Sequence, residues 1–454
     1  MKVELIGKNL EKGGSAIEIL IALTIFSLSA SAIIMMTFGS ESVILGAEKE
    51  LSSLSSAKNI LENARAIAKE NFNAVNSTDK LLTNDLTPCK KLTRATEDKS
   101  ELITILTDIK TFLAYGNDCY DEEPKGAWNA LEIIGSLNIE SDIEITHLDV
   151  KSKIIYVAAK SPILSKSDLF IINASDPENP TLVSSLDTGP GLNAIDVAGN
   201  IAYATSDNAT NQLQIIDIGD IYNPSLIAYR SLPGVLESGS YPQGRSVFYY
   251  NKKIFIGTKE TAGPEFHVFD VSDPLSPTWL GSKEITNNIN AISARNDLAY
   301  LATSGNAREV LILNTVIFPM TQIGTFDAPG NEDGTTINML GNKVYLGRKR
   351  SASNPDFIII DIQNPALPIF LGSKNLGLKY SNEVKKVLTS GDFTFLAAND
   401  EKEFYACNIK NPENIPDCAI LNSADKLSSL DYEDNLIYAS TLNNDAIQII
   451  KSNQ

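Results

Sequence analysis

The sequence predicts a mainly β protein: a seven-bladed β-propeller head on a long N-terminal α-helix that begins inside a membrane. Three observations carry that prediction. From about residue 146 an aromatic residue in a short apolar strand recurs seven times, at Tyr156, Tyr203, Phe255, Tyr300, Tyr345, Phe395 and Tyr438, with spacings of 43 to 52 residues. An aliphatic residue stands eight positions before each of them (Leu148, Ile195, Val247, Ile292, Ile337, Val387 and Leu430), so the register of a preceding strand repeats as well. Near the other end, Ile19 to Phe38 is a run of twenty uncharged residues, which as a helix spans about 30 Å, the depth of a bilayer core.

Within each repeat the remaining strands come in order. Thirteen to seventeen residues after the aromatic, six copies end a third strand, as in LFIIN, LQIID, FHVFD and FIIID. The closing residues Asn173, Asp217, Asp270, Asn314, Asp361 and Asn408 are expected to hydrogen-bond the backbone two residues on and start a turn. A fourth strand is read in PTLVSSL, PSLIAYRSL, PTWLGSKEI and PIFLGSKNL. Four antiparallel strands at a period near 45 residues make a propeller blade. The seventh copy stops at Ile450 with three strands, and LEIIGSLNIE (131–140) reads like the fourth strands of other copies. That segment is therefore expected to complete the seventh blade and close the ring, giving a propeller over 128–454.

The repeat consensus, IIDI or VFDV followed by S-D-P-x-x-P and the fourth strand, resembles the LVIVD-repeat family over roughly residues 146 to 454. That resemblance implies a surface propeller and names no ligand.

Ahead of the apolar run stand Lys2, Lys8 and Lys12, which keep the short leader in the cytoplasm and send the chain beyond the span outward. Glu18 is a carboxylate at the membrane edge of an apolar helix, which is costly without a partner. The run Lys12, Gly13, Gly14, Ser15, Ala16, Ile17, Glu18 resembles the cleavage region of type IV prepilins. The resemblance implies a leader over 1–13, cleavage by a prepilin peptidase between Gly13 and Gly14, and Glu18 as the fifth mature residue, neutralised by the α-amine of a neighbouring pilin subunit during assembly. From Glu41 to Phe72, Val43, Ile44, Ala47, Leu51, Leu54, Ala57, Ile60, Leu61, Ala64 and Ile67 recur mostly at spacings of three and four. They extend the helix as an amphipathic stem similar to a pilin spine, with a pilin-like helix over 14–72 and its membrane span over 19–38. Residues 73–127 are polar and read as a small connecting subdomain with one helix over 100–115. Cys89 and Cys119 flank that helix and, in an exported chain, are candidates for a disulfide. Cys407 and Cys418 are a second candidate pair, at facing ends of adjacent strands.

Composition narrows the function. The chain has 454 residues, a net charge of −18 and two histidines. An acidic surface repels phosphate backbones, so no nucleic-acid partner is expected. Few imidazoles, and no phosphate loop, nucleophile elbow or metal-ligand cluster, lead to an expectation of no catalytic residues, no metal and no cofactor. His147 and His267 are read as structural, and the acidic loop 327–334 as solubilising. Ten residues before each aromatic stand Thr146, Asn193, Arg245, Asn290, Thr335, Lys385 and Ser428. They are expected to line the channel mouth, with Asn193, Arg245, Asn290 and Lys385 as ligand-binding candidates. The reading is a pilin-like or pseudopilin surface protein, held in the cytoplasmic membrane before assembly and displayed on a filament afterwards, whose head binds an unknown surface ligand. An exported, membrane-tethered propeller enzyme of lactonase or glycosidase type is the alternative.

Overall fold

The computed structural model describes residues 27, 41–70, 75–87, 90–97, 100–107, 124–163, 165–233, 243–379, 382–400, 402–423, 425–442 and 446–453. Gly13, Gly14, Glu18, Cys89, Cys119 and the apolar run 19–38, apart from Ser27, lie outside the described residues. Among the described residues no helix is long and apolar enough to cross a membrane. The chain divides into two compact units, the smaller holding residues to Ile67 with 76–82 and 93–104, the larger the rest.

The smaller unit contains a helix, α1 (Glu41–Glu70), which buries Ser53, Ala57, Leu61 and Ala64 and leaves Leu54 and Ile67 exposed. This face meets strand: Ser53 Oγ lies 2.6 Å from Ser100 Oγ, and Arg65 donates to Thr104 Oγ1 at 3.0 Å. The connector is strand where the sequence predicts a helix. β1 (Leu81–Thr87), β2 (Lys90–Glu97) and β3 (Ser100–Thr107) form a three-stranded sheet in that order. The run SELITILT carries β-branched Ile103, Thr104, Ile105 and Thr107, whose restricted χ1 favours a pleated surface, and a short apolar run does not distinguish the two periods.

The larger unit contains seven four-stranded antiparallel sheets. Their first strands, Glu144–Lys151, Leu192–Ala198, Gly244–Tyr250, Ile289–Arg295, Gly334–Leu340, Val384–Ser390 and Leu427–Glu433, touch in succession, and the last touches the first, so the sheets close into a ring. Two-residue hairpins join first and second strands. Asn251-Lys252, Asn296-Asp297 and Asp434-Asn435 place both residues at positive φ, the turn that matches strand twist and that Asn and Asp tolerate. All six expected turn-starters accept the N–H two residues on: Ser175 to Asn173, Gly219 to Asp217, Ser272 to Asp270, Val316 to Asn314, Gln363 to Asp361 and Lys410 to Asn408, at 2.7 to 3.0 Å.

The seventh sheet is completed from the other end of the propeller sequence. β4 (Leu131–Asn138) pairs antiparallel with Ala446–Ser452, from Ala446 opposite Asn138 to Ser452 opposite Leu131. Just ahead of it Trp128 is buried to 1% exposure, edge-on to Phe395 at 4.7 Å, in the hydrophobic cluster formed by the sixth and seventh blades. The sixth blade has the shortest outer strand, Ala419–Leu421, and the Cys407–Cys418 disulfide ties it to the strand before it. Closing so short a loop stabilises by about 3 kcal/mol on the chain-entropy model.

Blades pack through a repeated small residue. Gly135, Ser184, Ala228, Gly281, Gly324, Gly372 and Ala419 occupy the same register in the seven fourth strands, opposite Ile449, Ile171, Ile215, Val268, Ile312, Ile359 and Ala406. At Gly135, Gly324 and Gly372 a Cβ would collide with the carbonyl oxygens of Pro177, Pro365 and Pro412, each in a turn of the next blade. The turn prolines and the fourth-strand glycines are thus two halves of one interface.

This packing predicts two outcomes. A chain beginning at residue 124 should unfold cooperatively, whereas one beginning at 141, lacking Trp128 and β4, should aggregate or melt about 10 °C lower by circular dichroism; equal melting would show the closing strand to be dispensable. Gly372→Ala should lower stability by about 1 to 3 kcal/mol in urea titration, the cost of overpacking a site bounded by backbone.

Candidate functional site

The first strand of each blade runs along the central channel, so side chains at equal register meet there from all seven blades. Seven positions before the aromatic, Asp149, Asp196, Asn338 and Asp431 reach across to the next blade. Asp431 accepts the Val150 N–H at 2.7 Å, Asp149 that of Val197 at 2.5 Å, Asp196 that of Tyr249 at 2.6 Å and Asn338 that of Thr389 at 3.1 Å. Inner-strand N–H groups have no ladder partner on the channel side, and these acceptors supply one. Burial raises the Asp196 and Asp431 carboxyls, with the Lys386 ammonium working against it. These residues, with His147, line a channel cavity of 260 Å³. His147 Nε2 stands 2.8 Å from Lys386 Nζ. Burial first, and then the lysine charge, hold the imidazole well below its ordinary range, so it is neutral and accepts from the ammonium. His267 is fully buried, its Nε2 donates to Pro264 O at 2.8 Å, and burial lowers it to about 4.

A second set of acceptors sits immediately before the third strand in the first six blades. Thr188 N–H bonds Asp168, Leu232 bonds Gln212, Ile285 bonds Glu265, Ala328 bonds Glu309, Leu376 bonds Asp356 and Ser423 bonds Glu403, at 2.7 to 3.1 Å and 19 or 20 residues apart. Each staples the chain leaving the outer strand to its own blade. Periodicity of the apolar residues does not reveal this set, although an acid or amide preceding LFIIN, LQIID, FHVFD, VLILN, FIIID and FYACN is visible at the repeat period.

The channel mouth is a cavity of 560 Å³ to which Thr146, Asn193, Arg245, Asn290, Thr335, Lys385 and Ser428 all contribute. Several are already engaged within the protein. Thr146 donates to Leu192 O at 2.8 Å, Thr335 to Val384 O at 2.6 Å and Asn290 Nδ2 to Gly334 O at 2.7 Å, each on the following blade. Asn193 Nδ2 donates to Asp207 Oδ1 at 2.6 Å, and Lys385 pairs with Glu383. Loops after the second strands add Lys160, paired with Asp207 at 2.9 Å, Lys349, paired with Asp333, and Lys259. In the acidic loop 327–334, Glu332 also pairs with Arg348 at 3.3 Å, a guanidinium that is completely buried. That loop is therefore anchored by its carboxylates as well as solubilised by them.

Comparison with known proteins bears on the fold. The LVIVD repeat matches residues 148–188 and 341–375, which are the first blade and the fifth. The chain is a β-propeller protein with LVIVD repeats. The β-propeller domain of Cps50 (Swd1) from Myceliophteria thermophila aligns over all of its length and 71% of this chain, at 11% identity and a TM-score of 0.50. The computationally designed Ika8 protein aligns over 71% of this chain and all of its own, at 12% identity and a TM-score of 0.48. BamB from Moraxella catarrhalis aligns over 72% of this chain and 98% of its own, at 13% identity and a TM-score of 0.43. No curated protein matches the chain in sequence.

The buried acceptors set the pH response of the propeller. Burial pushes Asp168 up to about 6 from an ordinary 3.8, against the opposing Thr188 hydrogen bonds, and it also raises Glu309, Asp356 and Glu403. Between about pH 4 and 6 these four carboxyls therefore hold more protons in the folded chain than in the unfolded one, so their contribution to stability falls as pH rises through that window and levels off above it, outweighing the opposite slope of the two buried imidazoles, His147 and His267. The melting temperature should be higher at pH 5 than at pH 7, and Asp168→Asn should flatten part of that slope. A maximum at pH 7 or above would contradict the assignment.

Proposed function

We propose that this chain is a type IV pilin-like surface protein, built into or anchored near a filament, whose propeller head binds a ligand or protein at its channel mouth. The observation that carries the binding role is the convergence of all seven inner-strand polar residues on one charged cavity of 560 Å³. A binding role, rather than catalysis, is supported by how the channel carboxylates are used: Asp149, Asp196 and Asp431 each accept a neighbouring strand's N–H.

The filament part of the reading rests on the order of features in the sequence: a lysine-bearing leader, Gly13-Gly14, Glu18 and the apolar run. The helix Glu41–Glu70, with one buried face, supports the amphipathic stem expected after that run. In this proposal the partners are a prepilin peptidase, the membrane and other pilin subunits, with Glu18 meeting the amine that cleavage creates. The mature protein purified from its native host should begin at Gly14 on N-terminal sequencing, and Glu18→Ala should leave insertion intact while removing the protein from filaments. A mature start beyond Phe38 would overturn the pilin-like reading in favour of an ordinary secretory signal.

A further inference from the structure

The mouth is electrostatically unlike the rest of the molecule. The whole chain carries −18, yet five basic residues line this cavity, Lys160, Arg245, Lys259, Lys349 and Lys385, against three acidic ones, Asp207, Asp333 and Glu383. Each acidic residue is matched to a lysine: Asp207 to Lys160, Asp333 to Lys349 and Glu383 to Lys385. Arg245 and Lys259 are left, both exposed and with no acidic partner among the described residues. They are neighbours on the third blade, where Lys259 N–H bonds Gln243 O at 3.1 Å across the first and second strands. The local excess of positive charge is thus concentrated on one wall of the mouth.

The donors and acceptors of that wall define its ligand. A guanidinium offers a planar fork that fits two oxygens of one oxyanion, and an ammonium beside it adds a point charge. On the blades to either side, Asn193 and Asn290 each spend one amide N–H, on Asp207 and Gly334. Each keeps a second N–H, which donates, and an amide oxygen, which accepts, so the pair suits a group that can do both. A bare anion has nothing to give those oxygens, whereas a sugar carrying a carboxylate has hydroxyl hydrogens for them. We propose that the mouth binds an acidic saccharide, with Arg245 and Lys259 holding its carboxylate and the amide oxygens of Asn193 and Asn290 accepting from its hydroxyls. This rests on the reading of the propeller as a binding head and names its ligand class.

The test is calorimetric titration of the purified full chain with glucuronate, glucose and inorganic phosphate. Glucuronate should bind at least tenfold more tightly than either of the others and weaken as salt is raised. Arg245→Gln and Lys259→Gln should each lower its affinity roughly 10-fold or more, the worth of one charge-assisted hydrogen bond, with the melting temperature unchanged. Equal binding of glucose and glucuronate would overturn the proposal while leaving a binding head that does not use charge. Equal binding of phosphate would overturn the saccharide assignment, leaving a bare anion site. Glucuronate binding that survives both substitutions, or no binding at all, would overturn the assignment of Arg245 and Lys259, whereas the pilin-like reading stands or falls separately on the mature N-terminus.

Discussion

Closure of the ring is the constraint on which the rest of the propeller depends. Six blades are each built from consecutive strands, but the seventh is not: its outer strand, Leu131–Asn138, comes from before the first repeat and pairs with Ala446–Ser452. Without that pairing the last blade would present an unpaired edge. Trp128 reinforces the joint by inserting a large ring into the cluster of the sixth and seventh blades. The pairing joins segments roughly 300 residues apart, so it repays its loop entropy only once the intervening blades are in place.

Three repeated side-chain devices then hold the blades in position. At the channel, Asp149, Asp196, Asn338 and Asp431 cap inner-strand N–H groups of the next blade. Before the third strands, the set running from Asp168 to Glu403 staples each outgoing connection. At the outer strands, a small residue admits the proline-bearing turn of the neighbour. Each satisfies a backbone group or fills a contact that a ring of twisted sheets would otherwise leave open. Together they explain why so acidic a chain buries carboxylates: many are acceptors for backbone N–H groups that have nowhere else to turn.

The same economy shapes the mouth. Most polar residues there are consumed by the neighbouring blade or by a loop of their own, as with Thr146, Thr335, Asn290 and the three lysine-carboxylate pairs. What remains for a ligand is the charge of Arg245 and Lys259 on one blade, with the amide oxygens of Asn193 and Asn290 on the blades beside it. A cavity lined by seven polar side chains thus reduces to a small cationic wall, and local charge opposite in sign to the molecule as a whole draws in anions.

Much of this architecture is legible in the sequence because it repeats. The aromatics, the turn-starting Asn and Asp residues and the resemblance of LEIIGSLNIE to other fourth strands are local signals, set by the pleat and by turn chemistry, and seven copies reinforce them. The glycine in that segment is part of the signal, though its reason, the carbonyl of Pro177 on another blade, is a tertiary contact. The strand at Ser100–Thr107 reads as a helix because eight residues rich in Ile and Leu satisfy either period, and only the neighbouring strands β1 and β2 decide between them. The sequence by itself determined which residues reach the channel mouth, since register along a strand is a local property. Only the tertiary structure decided which of them are free, because whether Asn290, Lys385 or Arg245 has a partner depends on what the next blade or an adjacent loop places within hydrogen-bonding distance.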